Sequence, residues 1–264
     1  MNAKQWRRVV LGLVLVGAAR NGEAVPREWI GGAGTPDWFT AANWSPADAP
    51  PQPGDDVVIA GGASVVLAAD SAMLGSFAIT NAMLTFTNWN TTLRATNVFI
   101  RQGALLTLPA PFRAAAGEMT NNLTIVCTNL TLDAAGVIDV SGKGYNYSDG
   151  PGKGANNPYS GGGAHGGRGG NGFDVILLNA RGGLPNGQLT APILPGSGGG
   201  SYQIANAANR GGAGGGAVRI DAAEPARSMA ASAPMATSRA TPRVAEPADR
   251  STSPAAAWPA APTA

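Results

Sequence analysis

Short β-branched segments recur at a nearly constant interval between residues 55 and 145, and this recurrence restricts the fold more than any other feature of the chain. Four apolar runs start 20, 21 and 25 residues apart, and each is followed by a second run. The first runs are Val57–Ile59, Phe77–Ile79, Val98–Ile100 and Leu123–Val126, and the second are Val65–Leu67, Met83–Phe86, Leu105–Leu108 and Leu130–Leu132, with Val137–Val140 closing the series. Runs of Val, Ile, Thr and Phe bounded by Gly, Asn and Pro are typical of strands. The sequence therefore predicts an all-β protein.

A period near 20 residues with several strands in each period is typical of a solenoid, in which each coil buries its apolar face against the next. Residues 55–145 are therefore predicted to form the rungs of a parallel β-helix. A β-sandwich of antiparallel strands is the alternative, because its strands also return every 8–12 residues or so.

The N-terminus has the pattern of a secretory signal peptide. Lys4, Arg7 and Arg8 precede the apolar run Val9–Val16, and small residues follow up to Ala24. This order of basic, apolar and small residues predicts cleavage of residues 1–24. The apolar run is too short for a helix that spans a bilayer. We therefore expect a secreted or outer-surface protein with no transmembrane span beyond the signal peptide.

The charge distribution argues against nucleic-acid binding. The chain carries a formal net charge of +2, but residues 25–221 hold 10 Lys or Arg against 12 Asp or Glu. No basic patch with interleaved aromatic residues is present, so nucleic acid is excluded as a partner. Cys127 is the only cysteine, which excludes an intramolecular disulfide. It lies in an apolar strand and is expected to pack as a small buried hydrophobe.

Residues 25–54 are rich in Trp and Pro and precede the first predicted rung. Trp29, Trp38 and Trp44 lie among Gly, Pro and Asn residues. A solenoid needs its first coil covered, so an N-terminal cap is the favoured interpretation. The alternative hypothesis is a platform on which these three indole rings stack against a glycan.

The same stretch resembles the start of repeats in autotransporter-passenger-like, glycine-rich bacterial surface proteins. The resemblance is carried by Trp29-x-Gly-Gly-x-Gly, Trp38, Asn43-Trp44 and Pro53-x-Asp-Asp-Val-x-Ile. It implies an exported, right-handed parallel β-helix with an adhesive or structural role, and it brings no catalytic residues.

Residues 146–221 are expected to continue the solenoid with long Gly-rich turns. The span from Gly142 to Gly216 holds 25 of the 38 glycines without a three-residue period, which excludes collagen. Strand-like islands remain at Val175–Leu178 and Ala217–Ile220. The stretch Gly169–Leu177 fits a calcium-binding nonapeptide, but such sites need consecutive copies and only one is present.

Composition changes after Asp221, where residues 222–264 contain 16 Ala, 7 Pro and no Gly. A disordered tail is the simple interpretation. We favour a frameshifted continuation of the Gly-rich region, because back-translation of Arg243–Pro254 with permitted codons, read from the third base, gives GGGAGGSIYVT. On that hypothesis the chain is a truncated fragment of a longer surface protein.

The residues do not form a convincing catalytic or metal-binding constellation. His165 is the sole histidine and has no ligand partner at a suitable spacing, so neither a metal nor another cofactor is predicted. Asp133 and Asp139 lie near Lys143, as lyase chemistry would require, but are better interpreted as solvated turn residues. We therefore expect a structural or adhesive surface protein and no enzyme. The alternatives are a polysaccharide-binding module and a polysaccharide lyase or hydrolase built on a β-helix.

Overall fold

Short strands make up almost all the regular structure of the computed structural model, which describes residues 24–89, 91–113, 122–156, 160–172, 180–187, 193–202 and 210–229. The strands are β1 Pro26–Trp29, β2 Trp44–Ser45, β3 Asp56–Ile59, β4 Ser64–Leu67, β5 Leu74–Ile79, β6 Met83–Phe86, β7 Thr92–Ile100, β8 Leu105–Thr107, β9 Asn122–Asp133, β10 Val137–Asp139, β11 Ala217–Ala222 and β12 Arg227–Met229. A single 3-10 turn, Ala41–Asn43, precedes β2. The all-β prediction is confirmed for the described residues.

The strands from β3 to β10 alternate between two sheets. Sheet A has the order β2-β1-β3-β5-β7-β9-β11, with β12 also beside β9, and sheet B has the order β4-β6-β8-β10. Each strand from β3 to β10 pairs in parallel with the next strand of its own sheet. Among the named strands, the antiparallel pairing expected of the alternative β-sandwich occurs only between β1 and β2.

The core is built from columns of apolar side chains that the parallel register stacks on one another. In sheet A, Val57, Phe77, Val98 and Leu130 occupy one such column. The first three are fully buried, and Leu130 is 4% exposed. Successive side chains of a strand point to opposite faces, so every second residue joins the core. Burial of each large apolar side chain contributes about 1.5–3 kcal/mol to folding.

One of the predicted repeat boundaries is wrong. Leu123–Val126 and Leu130–Leu132 were expected to be separate runs, but both belong to the continuous strand β9. Leu130 pairs with Val98 and therefore continues the column of Val57, Phe77 and Val98 in sheet A, and the next strand along the chain is β10 of sheet B. Leu123–Val126 instead lengthens sheet A, with Ile125 beside Leu93. The two runs share the same alternation of apolar and polar residues, which is why the sequence did not distinguish their roles.

A buried ion pair ties the N-terminal segment to the first coil. Arg27 is only 5% exposed, and its Nε donates to Asp55 Oδ2 at 3.0 Å. Its Nη1 contacts the Asp48 carboxylate and donates to the Pro46 carbonyl at 2.8 Å. Asp55 Oδ2 also accepts a hydrogen bond from the Gln52 backbone N–H at 2.8 Å. The guanidinium therefore holds three separate parts of residues 25–55 together.

Glycine-rich segments form a bundle over most of residues 146–221, which were expected to continue the solenoid, and residues 217–221 belong to β11 of sheet A. The segments of this glycine bundle are 144–156, 160–172, 180–187, 193–202 and 210–216. Their backbones bond in several directions rather than in a sheet. Gly162 donates to Gly170 O at 2.7 Å and accepts from Gly183 N at 2.9 Å, while Gly169 donates to Gly183 O at 3.0 Å. Segment 160–172 thus bonds to itself and to segment 180–187 through direct backbone bonds.

The bundle requires glycine because its backbones approach too closely for a side chain. A Cβ on Gly183 would lie 1.8 Å from Gly152 O, and one on Gly154 would lie 1.9 Å from Gly161 O. Absence of the Cβ is what allows such an approach. The high glycine content is therefore a packing requirement here, and not only a source of flexible turns.

The structure describes one of the two strand-like stretches predicted in the Gly-rich region and the first residues of the predicted tail. Ala217–Ile220 belongs to β11, as expected, whereas Val175–Leu178 and residues 1–23 lie outside the described residues. The tail was expected to begin at residue 222, but Ala222 ends β11 and β12 pairs with Thr131–Asp133 of β9. Residues 230–264 lie outside the described part of the chain.

Candidate functional site

A groove of about 530 Å³ runs across the outer face of sheet A at β7, β9 and β11. We call it the Trp89 groove. Its polar and aromatic lining includes Asp70, Trp89, Thr92, Arg94, Thr124, Arg219 and Asp221. Three strands, the loop before β5 and the loop before β7 supply these side chains, so the groove depends on contacts between residues far apart in the sequence.

The parallel register places the groove residues side by side. Thr92, Thr124 and Arg219 are aligned across the three strands. Arg94 and Asp221 are aligned with Val126 in the next column of the same face. The residues between these columns turn into the core, as required by strand geometry. The polar residues consequently form a compact patch on one face.

Two ion pairs give the groove donors and acceptors without a large net charge. Arg94 Nη2 lies 2.9 Å from Asp70 Oδ2, and Arg219 Nε lies 2.9 Å from Asp221 Oδ2. The four side chains are between 42% and 57% exposed. Asp70 Oδ1 also accepts the Thr92 backbone N–H at 2.9 Å. Exposed pairs of this kind add little to stability, and the exposure of the four side chains leaves their charged groups accessible to a polar ligand.

Trp89 lies where the groove meets a neighbouring depression of about 350 Å³. Its ring is only partly buried. The loop that carries it is held to the preceding coil: Thr87 N donates to Leu67 O at 2.9 Å, and Asn88 Nδ2 donates to Ala68 O at 2.6 Å. An accessible aromatic ring beside hydroxyl, carboxylate and guanidinium groups has the chemistry needed to bind a sugar.

The tryptophans selected from the sequence lie elsewhere, at the N-terminal end of the core. Trp38 and Trp44 have no exposed surface, and their rings meet edge to face with centroids 4.9 Å apart. Trp29 is partly buried against Trp44 at 5.1 Å, and Trp38 lies 6.1 Å from Phe77. A ring without an exposed face has no surface for a sugar, so stacking on Trp38 and Trp44 is contradicted by their burial. The arrangement is that of a plug over the first coil.

Trp89 was not predicted as a site residue because it lies outside the cluster of tryptophans near the N-terminus. It is isolated from the other tryptophans and flanked by Asn88, Asn90 and two threonines. Asn88 adopts a positive φ of 69°, which is common for Asn in tight turns. The sequence feature that could have indicated an exposed aromatic residue was a single Trp in a polar turn between two core strands.

The remaining sequence candidates do not form a catalytic site in the described residues. Asp139 accepts the Ser141 amide at 2.8 Å, and hydrogen bonds from Ser141, assisted by the charge of Lys143, hold its carboxyl pKa below the usual value. His165 lies in the glycine bundle, and its buried Nε2 has no hydrogen-bond partner in the structure. Groups of three or more potential metal ligands are absent from the described part of the chain.

The calcium-type nonapeptide is only partly described. Gly169 and Gly170 belong to the glycine bundle, and Asn171 Oδ1 accepts the Gly182 backbone N–H at 2.9 Å. Residues 173–177 lie outside the described residues. The described half therefore contributes backbone packing contacts to the bundle.

Comparison with known proteins shows that residues 43–143 are similar to the G8 domain. G8 is an extracellular domain family. The matched region contains Asp70, Trp89, Arg94 and Thr124, while Arg219 and Asp221 come from beyond it. No curated protein and no solved structure matches the chain. Nor does any described helix have the length and apolar character needed to cross a membrane.

Proposed function

With an extracellular G8 domain as the starting point, we propose that this chain is an exported surface protein that binds a polysaccharide through the Trp89 groove. The observation that carries the proposal is the position of Trp89 beside the Arg94–Asp70 and Arg219–Asp221 pairs. Binding to a polysaccharide would give the protein an adhesive role at the cell surface or in the extracellular matrix.

The chemistry of the groove matches that of a sugar chain. A pyranose ring has an apolar C–H face and a rim of hydroxyl groups. The ring of Trp89 supplies an apolar surface with a polar edge. Arg94 and Arg219 donate hydrogen bonds, and Asp70 and Asp221 accept them. Since the cations and carboxylates are equal in number, the groove favours an uncharged polysaccharide over a strongly anionic one.

The groove is open and shallow, which suits a polymer. Its strand residues lie on the outer face of parallel strands and Asp70 and Trp89 lie in loops beside them, so a polysaccharide can lie across the strands without threading into a cavity. Its volume of about 530 Å³ lies in the range of small-ligand sites. Two or three sugar units of a longer polysaccharide would therefore occupy it, and the remainder would extend into solvent.

The alternation of strands supports the finer fold expectation, a right-handed parallel β-helix. The chain passes from sheet A to sheet B and back between parallel neighbours. Connections between parallel strands of one sheet are right-handed in nearly all proteins. The basic, apolar and small residues of positions 1–24 support export by a signal peptide.

A binding assay with matched variants tests the proposed function. The full chain is screened against immobilised neutral and acidic polysaccharides, and the affinity for the strongest binder is measured by calorimetry. Trp89→Ala and Arg94→Ala are each expected to weaken binding about tenfold or more, equivalent to roughly 1.4 kcal/mol. Asn129→Ala is the control, because Asn129 is an exposed residue of β9 outside the groove.

Two results would overturn the proposal. One is the absence of binding to every polysaccharide by a folded wild-type chain. The other is binding that survives both groove substitutions unchanged. A preference for acidic chains that is lost on Arg94→Ala would retain the groove as the site and correct the inferred ligand charge.

A further inference from the structure

The outer edge of β11 is open in the described structure. β11 is the last strand of sheet A, and the described strands leave its side away from β9 unpaired. Arg219, Ile220 and Asp221 are 57%, 40% and 47% exposed. An exposed edge of this length is a template for pairing with another strand. The opposite end of the sheet differs, because β1 and β2 carry the tryptophan plug.

The hydrogen-bond pattern shows which backbone groups face outward. Beside β9, the Ala223 N–H donates to Cys127 O at 3.0 Å. The register of β11 on β9 then directs Ala217, Arg219 and Asp221 toward β9. Since the backbone groups of successive residues alternate in direction, the N–H and C=O groups of Val218, Ile220 and Ala222 point to the open edge. Three evenly spaced donor–acceptor pairs are therefore available.

The side chains of β11 are self-complementary about Ile220. In an antiparallel pairing with Ile220 opposite its own copy, Arg219 of one chain lies opposite Asp221 of the other, and the reverse. The same register sets Val218 opposite Ala222. Val218, Ile220 and Ala222, whose backbone groups point to the open edge, then all fall in hydrogen-bonded pairs. Arg219 and Asp221 fall in the closer, non-hydrogen-bonded pairs. Opposite charges at such positions favour pairing.

We infer that the edge of β11 binds a second copy of this chain through a two-fold antiparallel pairing centred on Ile220. The pairing joins the two A sheets into one continuous sheet and adds six backbone hydrogen bonds. It also covers Ile220, which lies beside the buried Ile125 on the core side of sheet A and is 40% exposed at the edge of the described sheet. A symmetric contact of this kind closes as a dimer and does not propagate into a filament.

The inference goes beyond polysaccharide binding and does not depend on it. The two-fold axis is perpendicular to the joined sheet, so both Trp89 grooves face the same side. A polymer that reaches both grooves would bind with higher avidity than one that reaches a single groove. The pairing of the β11 edges nevertheless predicts that two chains associate even when no polysaccharide is present.

Sedimentation equilibrium of the full chain over a range of concentrations tests the pairing. Wild type is expected to dimerise. Arg219→Asp brings like charges together across the axis and is expected to weaken dimerisation about tenfold. The double variant Arg219→Asp/Asp221→Arg restores opposite charges and is expected to restore the dimer. Arg168→Asp makes the same charge change at an exposed residue of the glycine bundle and is the control.

A backbone variant separates pairing from folding. Ile220→Pro removes an N–H that points to the open edge and that no described strand accepts, and proline is tolerated at such edge positions. We expect a monomer with an unchanged circular dichroism spectrum. A wild-type chain that remains monomeric overturns the inference, as does a dimer that persists in Ile220→Pro. Failure of the charge-swapped double variant to regain wild-type association also contradicts the proposed register.

Discussion

The indole N–H of Trp44 donates to the backbone carbonyl of Trp38 at 2.7 Å, and neither side chain has any exposed surface. The bond satisfies the single polar group of the Trp44 ring within an apolar cluster. The two rings are thereby fixed over the first coil, next to Phe77. Stability and ligand binding should therefore depend on different tryptophans.

Replacement of Trp38 by alanine tests the plug. The substitution leaves a cavity beside Trp44 and Phe77, so we expect the free energy of unfolding to fall by about 3–5 kcal/mol. Trp89→Ala is the matched control and should cost about 1 kcal/mol or less, because Trp89 is partly exposed. Urea unfolding followed by circular dichroism measures both. Similar losses in the two variants would contradict the assignment of the plug.

The contact between Arg27 and Asp48 predicts a loss of stability in acid. Hydrogen bonding to Arg27 holds the pKa of the Asp48 carboxyl below its ordinary value. Because the folded-state pKa is the lower one, the contribution is present above the unfolded-state value of about 4 and is lost as the pH falls through the folded-state value. Asp48→Asn should therefore flatten the decrease in urea midpoint between pH 5 and pH 3. An unchanged slope would exclude Asp48 as a source of this dependence.

Adjacent glycines in the bundle give a sharp test of its packing. A Cβ at Gly169 would lie 2.1 Å from Gly162 O, whereas a Cβ at Gly170 would meet nothing within 4 Å. We expect Gly169→Ala to destabilise the protein by about 1–3 kcal/mol through overpacking. Gly170→Ala should be neutral or stabilising by less than about 1 kcal/mol. Thermal unfolding of the two variants compares them, and equal melting temperatures would refute the close approach.

Cys127 should behave as an inert thiol in the folded protein. It is 6% exposed, and burial raises the pKa of its thiol. Because the thiolate is the reactive form, alkylation at pH 8 should be slow until denaturant is added. Asn129→Cys in a Cys127→Ala background provides an exposed thiol on the same strand and should be alkylated rapidly. Rapid alkylation of native Cys127 would show that the C-terminal end of the core opens readily.

The coil pattern was predictable because each apolar run is short and bounded by turn residues. Val57, Phe77 and Val98 were placed correctly in successive strands, which pair in parallel in sheet A, since local propensity and spacing point to the same register. The fourth rung was misplaced because β9 contains two alternating runs in one strand. Ile125 pairs with Leu93 and Leu130 pairs with Val98 of β7. These pairings decide which of the two residues continues the column of Val98, and they cannot be read from a single sequence.

The glycine bundle and the Trp89 groove were not predicted, for a common reason. Both are formed by contacts between distant segments. Gly152 and Gly183 are suited to each other only because the fold brings their backbones together. Arg219 likewise joins the groove only through the register of β11 on β9. The sequence drew attention to the glycines and the tryptophans as residue types. It did not show which glycine backbones contact each other or which side chains line the Trp89 groove.

The glycine bundle and the two-sheet core should respond differently to temperature. Exposure of apolar side chains on unfolding raises the heat capacity, whereas exposure of peptide groups lowers it. The core buries Phe77, Phe86 and other large apolar side chains, while the bundle buries mainly backbone. Cooling therefore weakens the hydrophobic contribution of the core and leaves the hydrogen-bonded bundle comparatively unaffected. One polypeptide thus combines a region with a strongly curved stability profile and a region with a nearly flat one, so the part that opens first in the cold need not be the part that opens first on heating.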